Sequence, residues 1–391
     1  MAIEASRAER NAGRIRLGMI GGGEGAFIGA VHRLVARLDD HYAFVAGALS
    51  ATPEKARRSG RALGLEPSRA YPDFATMLAT EAKRSDGIEA VAIVTPNHVH
   101  ARAAEACLAA GVHVICDKPL AATLAEGRRL ARLAARGDLL FAVTYNYTGY
   151  PMVREARARI AAGELGRLRV VQVEYVQDWL TEPLERTGQK QAVWRTDPAR
   201  AGKGGAIGDI GTHAFQLAEF VTGLRVESLC ADLQSFVPRR RLDDNAHILL
   251  RLTKGAHGAL WASQVAPGNE NGLRLRVYGD KGGMSWSQEH PNQLLWSPYR
   301  EPTRILSRGG AGTGPASSRI TRIPSGHPEG YLEAFATVYT EIAAAIRARR
   351  AGKRTPREVV YPGLVDGVRG LGFVDAAVRS SARGGRWTSI T

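Results

Sequence analysis

Asp209 and His213 stand four residues apart in GGAIGDIGTHAFQLAEFVTG, a stretch that reads as a helix ending before Gly223. On a helix that spacing puts both side chains on one face. An imidazole can shuttle a hydroxyl proton near neutral pH, and a neighbouring carboxylate can orient the ring and stabilise its charge. Ile210, Ala214, Leu217 and Val221 form an apolar stripe about a quarter-turn away, which predicts that the pair emerges beside the core rather than into it. The same spacing is also that of an ordinary surface pair. Lys118 ends Val114-Ile115-Cys116-Asp117-Lys118-Pro119, at the carboxyl end of an expected parallel strand, where ligands bind in open α/β sheets. There an ammonium can hydrogen-bond both a cofactor ribose and a reacting oxygen; a solvated strand-end lysine is the equal alternative.

A second feature lies near the start. An apolar run at 15–20 leads straight into Gly21-Gly22-Gly23-Glu24-Gly25-Ala26-Phe27-Ile28-Gly29 and then a helical pattern. Strand, glycine-rich turn and helix are what a dinucleotide needs. The glycines allow a tight turn and close approach of the pyrophosphate, which then rests on the amides at the helix start. Gly21 and Gly23 form the first G-x-G, and Gly29 is the expected helix-packing glycine, so the loop carries two or three extra residues; Phe27 and Ile28 fall within it. The second strand ends in Ala48-Leu49-Ser50-Ala51-Thr52, without the acid that holds the ribose hydroxyls of NAD. Ser50, Thr52, Lys55, Arg57 and Arg58 can instead hold a 2′-phosphate. NADP is therefore favoured over NAD here, unless these are exposed helix residues.

The elements that must position these groups follow from periodicity. From residue 14 to 145, apolar runs at 15–20, 42–49, 89–94, 113–116 and 139–145 alternate with helical patterns, the mark of βαβ units and a doubly wound parallel sheet. Thr52-Pro53 opens one helix, and Thr123 with Glu126 has capping-box spacing at the start of another. From about Leu168 the rhythm changes to short alternating runs (RLRVVQVEYVQ, VESLCADLQSFV, NAHILLRL, HGALWASQVA and GLRLRVYGD). These predict a second, α+β domain over 146–391, built on an open, mainly antiparallel sheet ending near 330 with helices on one face. The C-terminal helical patterns at 331–349 and 361–379 can pack back on the first domain. The Gly-, Ser- and Arg-rich stretch 307–325 is a plain loop or a lid.

Composition limits the alternatives. With 44% hydrophobic and 23% charged residues, a packed core is expected. The net charge of +15 is spread along the chain, and only 8 of the 53 basic residues are lysine, so a solvated basic surface suited to anionic small ligands fits better than nucleic-acid binding. No apolar run approaches the length of a membrane helix, and the first residues lack the apolar stretch of a signal peptide, which predicts a cytoplasmic protein. Cys107, Cys116 and Cys230 fit neither a disulfide framework nor a thiolate metal site and are expected to be reduced thiols. His98, His100 and His113 lack the further ligands a metal site needs, so none is expected.

Taken together, the chain from Ile15 to about Trp387 resembles the glucose-fructose oxidoreductase and inositol dehydrogenase (Gfo/Idh/MocA) family. The resemblance is carried by the glycine loop, TPNHVHARAAEACLAAGVHVICDKPLA, GGAIGDIGTH and the closing YPGLVDGVRGLGFVDAAVRSSARGGRW. TPNxxH, a lysine-proline strand end and DxxxH in this order are its specific elements. The resemblance implies a Rossmann domain joined to an α/β domain whose open sheet forms oligomer contacts, as a homodimer or homotetramer. It implies hydride transfer between a nicotinamide and a hydroxyl-bearing carbon of a sugar, sugar derivative or inositol-like polyol. It also implies roles: Lys118 contacting nicotinamide ribose and substrate oxygen, His213 taking the hydroxyl proton, Asp209 positioning substrate and histidine, and Thr95, Asn97 and His100 lining or backing the cofactor. Asp117 stands where the family usually has Glu, and Tyr145-Asn146-Tyr147-Thr148 lacks an arginine often found there. Tyr147, Trp194, Arg195 and His327 are the candidate substrate contacts, by stacking on a sugar face or donating to hydroxyls; ordinary packing is the alternative for each. Two other functions remain: an NAD-dependent glycoside hydrolase working through transient oxidation, and a nucleotide- or sugar-binding sensor without turnover.

Overall fold

The computed structural model describes residues 13–390. Among them β1 (Ile15–Gly21), β2 (Tyr42–Ala48), β3 (Ala90–Val94), β4 (His113–Cys116) and β5 (Phe141–Val143) form a parallel sheet in the order β2-β1-β3-β4-β5. Helices α1 (Phe27–Leu38), α2 (Pro53–Ala62), α3 (Phe74–Glu81), α4 (Asn97–Ala109) and α5 (Leu124–Ala134) connect them. The strands are apolar on both faces because both are covered. Val91, Ile93, Val114 and Val143 face Met77, Ala104, Cys107 and Leu130 of α3, α4 and α5. The expected capping box forms at α5, where Thr123 Oγ1 accepts from Glu126 N (3.3 Å) and Glu126 Oε2 from Thr123 N (3.0 Å). The chain leaves β1 for β2 on one side and β3 on the other, which opens a crevice at the carboxyl ends of β1 and β3.

After α6 (Pro151–Ala161) the chain enters β6 (Leu168–Val176), then two short helices, α7 (Lys190–Arg195) and α8 (Pro198–Ala201). A π-helical turn, Ile207–Gly211, runs directly into α9 (Thr212–Thr222). Strands β7 (Val226–Gln234), β8 (Asn245–Leu252), β9 (His257–Ser263), β10 (Gly272–Gly279), β11 (Gly282–Ser287), β12 (Gln293–Pro298) and β13 (Arg304–Ser307) follow. The chain closes with α10 (Pro315–Ser318), α11 (Tyr331–Arg350), α12 (Leu364–Ser381) and β14 (Thr388–Ser389). The second sheet has the order β13-β12-β11-β10-β6-β9-β8-β7-β14. Within it β6 and β9 pair in parallel, with Val173 opposite Leu260, and the other neighbouring strands pair antiparallel. Strict alternation puts Ile248 and Leu250 of β8 inward against α6, α9 and α12, while Leu249 points out.

Two sequence expectations change here. Periodicity predicts one apolar stripe on the helix carrying His213, yet every residue of α9 is buried, because the sheet, α6 and α12 enclose it. Burial all round removes the polar face that the stripe implied. The 307–325 stretch is more than a plain loop: Arg308, fully buried, donates to Glu329 Oε1 (3.0 Å), Asn292 Oδ1 (2.8 Å) and the Ile323 carbonyl (2.8 Å), and α10 forms inside it. Helix α11 lies on the first sheet rather than the second. Its Phe335, Val338, Ile342 and Ile346 share a core with Leu17 of β1, Ala92 of β3, Ile115 of β4 and Val31 of α1.

Candidate active site

One cavity of about 1270 Å³ runs from the glycine loop, past the carboxyl ends of β1 and β3, to the inner face of the second sheet. At one end the loop is shaped for close approach. Gly21 has φ +80°, and a Cβ on Gly29 would lie 2.3 Å from Gly22 Cα, so loop and helix touch backbone to backbone. Gly23 N donates to Leu49 O (3.1 Å), which ties the loop to the end of β2. Helix α1 starts with no side-chain cap and no acid in its first turn, leaving its first amides as donors. Gly21, Gly23, Phe27 and Ile28 all line the cavity. So do Ser50 and Lys55, whereas Thr52, Arg57 and Arg58 do not; Arg58 Nε donates to Glu24 Oε2 (2.9 Å) instead.

Thr95 and Asn97 line the cavity wall, and Thr95 Oγ1 is buried without a hydrogen-bond partner among the described residues. His100 takes the backing place of the two the sequence allows, rather than lining the cavity. It is fully buried behind that wall, with Nδ1 2.8 Å from Pro119 O and Nε2 2.7 Å from Thr95 O. Both ring nitrogens are engaged by backbone carbonyls, so the ring ties α4 to the strand end carrying Lys118.

In mid-cavity Lys118 Nζ donates to both the carbonyl oxygen and Oδ1 of Asp209, each at 2.7 Å. Asp209 Oδ2 accepts from Arg195 Nε (3.1 Å) and Gln264 Nε2 (3.0 Å). Burial would raise the Asp209 carboxyl, but the Arg195 and Lys118 charges outweigh it and hold it well below the usual carboxylate range. Asp209 does not orient the His213 ring by a hydrogen bond, as a shared helical face would allow: the π-helical turn ends between the two residues, and both carboxylate oxygens are committed elsewhere. His213 is held instead by rings, with Tyr147, Tyr145 and Tyr175 edge-to-face at 4.9, 5.6 and 6.1 Å between centroids. Burial, then the Lys118 charge, holds its imidazole well below the ordinary histidine pKa, so it is neutral at neutral pH. Its Nδ1 is buried with no hydrogen-bond partner among the described residues.

Asp117 shows what the shorter acid does. Its Oδ1 accepts from Lys118 N (3.0 Å) and Thr144 Oγ1 (2.8 Å), and His32 Nε2 lies 3.7 Å away. Burial works to raise this carboxyl, but His32, Lys118 and Thr144 together hold it far below the usual range. The π-helical turn is anchored from behind by Asp243, whose carboxylate accepts from Gly205 N (2.7 Å) and Ile207 N (2.8 Å); burial pushes its pKa up to about 6.

Of the expected substrate contacts, Tyr147, Trp194 and Arg195 line the cavity. Arg195 stacks its guanidinium 4.3 Å over the Trp194 ring. Tyr147 is buried, its hydroxyl 2.5 Å from that of Tyr175, so its ring backs His213 more than it opens to solvent. His327 is not in the cavity: it is exposed, and its carbonyl accepts from Arg308 in the 307–327 segment. Sequence reasoning missed a polar wall supplied by strand ends. Asn271 Oδ1 accepts from Tyr175 OH (2.8 Å) and Gln177 Nε2 (2.8 Å), Asn271 Nδ2 donates to Gln288 Oε1 (3.2 Å), and Trp179 Nε1 donates to Gln177 Oε1 (3.1 Å). These residues meet because β6 and β10 pair with Val176 opposite Gly272, a register no local motif encodes. Among the described residues no group of three His, Cys, Asp or Glu side chains is arranged to hold a metal, and no helix is long and apolar enough to cross a membrane.

Residues 15–145 match the model of the oxidoreductase family with an NAD-binding Rossmann fold, and residues 153–285 match that of the GFO/IDH/MocA C-terminal domain. The structure is similar to that of an oxidoreductase from Sinorhizobium meliloti, at 58% identity and TM-score 0.88, covering 96% of this chain and 99% of that one. It is also similar to an inositol dehydrogenase homolog from Azotobacter vinelandii complexed with NADH and myo-inositol, at 38% identity and TM-score 0.90, covering 97% and 98% of the two chains. A levoglucosan dehydrogenase from Pseudarthrobacter phenanthrenivorans is 29% identical over 310 residues, 72% of this chain and 75% of that one.

Proposed function

From the premise that this chain belongs to the Gfo/Idh/MocA family of oxidoreductases, we propose that it oxidises a hydroxyl-bearing carbon of a sugar, sugar derivative or inositol-like polyol, using NADP in preference to NAD. The observation that carries this reading is the neutral, ring-held His213 opening on the same cavity as the Lys118–Asp209 pair and the glycine loop. The cavity fits a dinucleotide: α1 offers uncapped amides, the Gly22–Gly29 contact leaves no room for a Cβ, and Thr95 Oγ1 lacks a partner among the described residues.

When bound, the nicotinamide accepts or gives the hydride. His213 takes the hydroxyl proton, because a neutral imidazole lining the cavity is a competent base. Lys118 stabilises the developing negative charge on the substrate oxygen. Asp209 fixes Lys118 and Arg195 in place, and with them the substrate. Arg195, Trp194 and the Asn271 amide face the remaining hydroxyls; an amide wall and an indole suit a neutral polyhydroxylated ring. The 2′-phosphate falls to Ser50 and Lys55, because β2 ends without an acid.

A second copy of the chain is the expected partner, joined as a homodimer or homotetramer through the outer face of the second sheet, where Val170, Leu249, Tyr278, Leu295 and Ile305 are exposed. Cytoplasmic residence agrees with Cys107 and Cys116 as buried free thiols.

The test is absorbance at 340 nm with NADP or NAD and a panel of inositols, aldoses, anhydrosugars and glycosides. Reduction with one compound class supports the reading and names the substrate. Silence across the panel, with dinucleotide bound, would overturn it.

A further inference from the structure

Between β6 and the π-helical turn the chain leaves the sheet and crosses the cleft as a strap, residues 178–202. Its start is fixed to the second domain, where buried Arg240 donates to Leu180 O (3.0 Å) and to Glu185 Oε2 (3.0 Å). Its end is fixed to the first, where Asn97 Nδ2 donates to Ala201 O (2.9 Å) and a Cβ on Gly202 would lie 2.6 Å from Ala122 O. Between these anchors the strap reaches the lengthened glycine loop: Lys190 Nζ donates to Gly25 O at 3.5 Å. Lys190 lines the same cavity as Gly21, Gly23 and Phe27, and no ion pair engages it among the described residues. The acid of the loop, Glu24, is already paired with Arg58 at 2.9 Å.

We propose that Lys190 is a cofactor-binding residue supplied across the domain cleft, closing on the pyrophosphate at the tip of the glycine loop. The inference rests on the reading of the cavity as a dinucleotide site. A pyrophosphate brings two negative charges, whereas the start of a helix offers the equivalent of about half a positive one. The loop glycines bring phosphate near but add no charge. Lys190 is a cavity-lining cation at the loop's tip, whereas Arg58, bound to Glu24, does not line the cavity. Its long contact to a neutral carbonyl is weak, and a lysine stem re-aims by rotation about its four carbons, so the ammonium can turn to a phosphate without moving the strap. The two or three extra residues that make the glycine loop irregular carry its tip toward the strap.

The test uses the full chain and binding rather than turnover. Dissociation constants for NADH, NADPH and ADP-ribose are measured for wild type, Lys190→Ala and Lys190→Arg, the reduced dinucleotides by energy transfer from tryptophan and ADP-ribose by competition. Lys190→Ala should weaken all three by about five- to twentyfold, the range for an exposed charge-assisted contact. It should also flatten the dependence of affinity on salt, and Lys190→Arg should restore binding to within about twofold. Lys190 is exposed, so equal melting temperatures are expected. Affinities within twofold of wild type in Lys190→Ala, or weakening confined to NADPH, would overturn the proposal. Failure of wild type itself to bind either dinucleotide would instead remove the underlying reading of the cavity.

Discussion

Asp209→Asn removes one charge and leaves the shape nearly unchanged, which makes it a direct measure of what the carboxylate does. In the folded protein its two oxygens face three donors, on Lys118, Arg195 and Gln264, and the side chain is only 16% exposed. An asparagine brings one oxygen and one amino group, so in either orientation at least one N–H points at another N–H. Two cations, 16% and 24% exposed, then share a site with no counter-charge beside them. Removing one member of a buried pair costs about 3–5 kcal/mol, and the partial exposure of Arg195 favours the lower end, about 3 kcal/mol at pH 7. The pH dependence has a definite sign. The folded carboxyl lies well below its unfolded value, so its contribution is complete above about pH 5 and is lost as pH falls toward the folded pKa. At pH 3.5 the gap between wild type and variant should therefore shrink by about 0.7 kcal/mol. Urea unfolding at the two pH values reads both quantities, and Lys118→Met/Asp209→Asn should be less destabilised than the two single changes summed. A variant within about 1 kcal/mol of wild type at pH 7 would refute the argument that the carboxylate is the necessary counter-charge of this site.

His213→Ala should lower turnover by about 100-fold or more while NADPH and NADH affinities stay within about threefold, as measured by steady-state rates and fluorescence titration. Because burial and the Lys118 charge depress the His213 pKa, the imidazole stays neutral as pH falls through 6.5. The plateau of kcat/KM for oxidation should thus extend below pH 6.5, and an acid limb centred at 6.5 or above would contradict this. Ser50→Ala/Lys55→Ala should weaken NADPH by about tenfold more than NADH; equal weakening would assign the two residues to something other than the 2′-phosphate.

The first domain is legible because a parallel sheet covered on both sides needs strands apolar along their length, as Ala90–Val94 is, separated by helical patterns. Lys118, Asp209 and His213 are legible through type and order, yet how they interact is not. The π-helical turn shifts Asp209 away from the helical face that four-residue spacing implies, so the carboxylate serves Lys118 and Arg195 while the histidine is left to aromatic neighbours. Gln264, Tyr175 and Asn271 carried no signal, since strand register alone brings residues from 175 and 271 together. His327 illustrates the opposite failure: a chemically suitable side chain in a glycine-rich stretch, drawn from the cavity by a buried arginine that gathers the surrounding carbonyls.

The placement of α11 bears on how the molecule is made. Leu17, Ala92 and Ile115 of the first sheet are sealed by a helix that begins only at Tyr331, so the ribosome must translate about 190 further residues after β5 before the cover exists. At roughly 5–20 residues per second, a nascent sheet with one apolar face partly bare persists for about 10–40 s. That interval exposes the half-built domain to chaperones. It also means that cutting the gene at the boundary between the two domains would produce a first fragment lacking part of its own core.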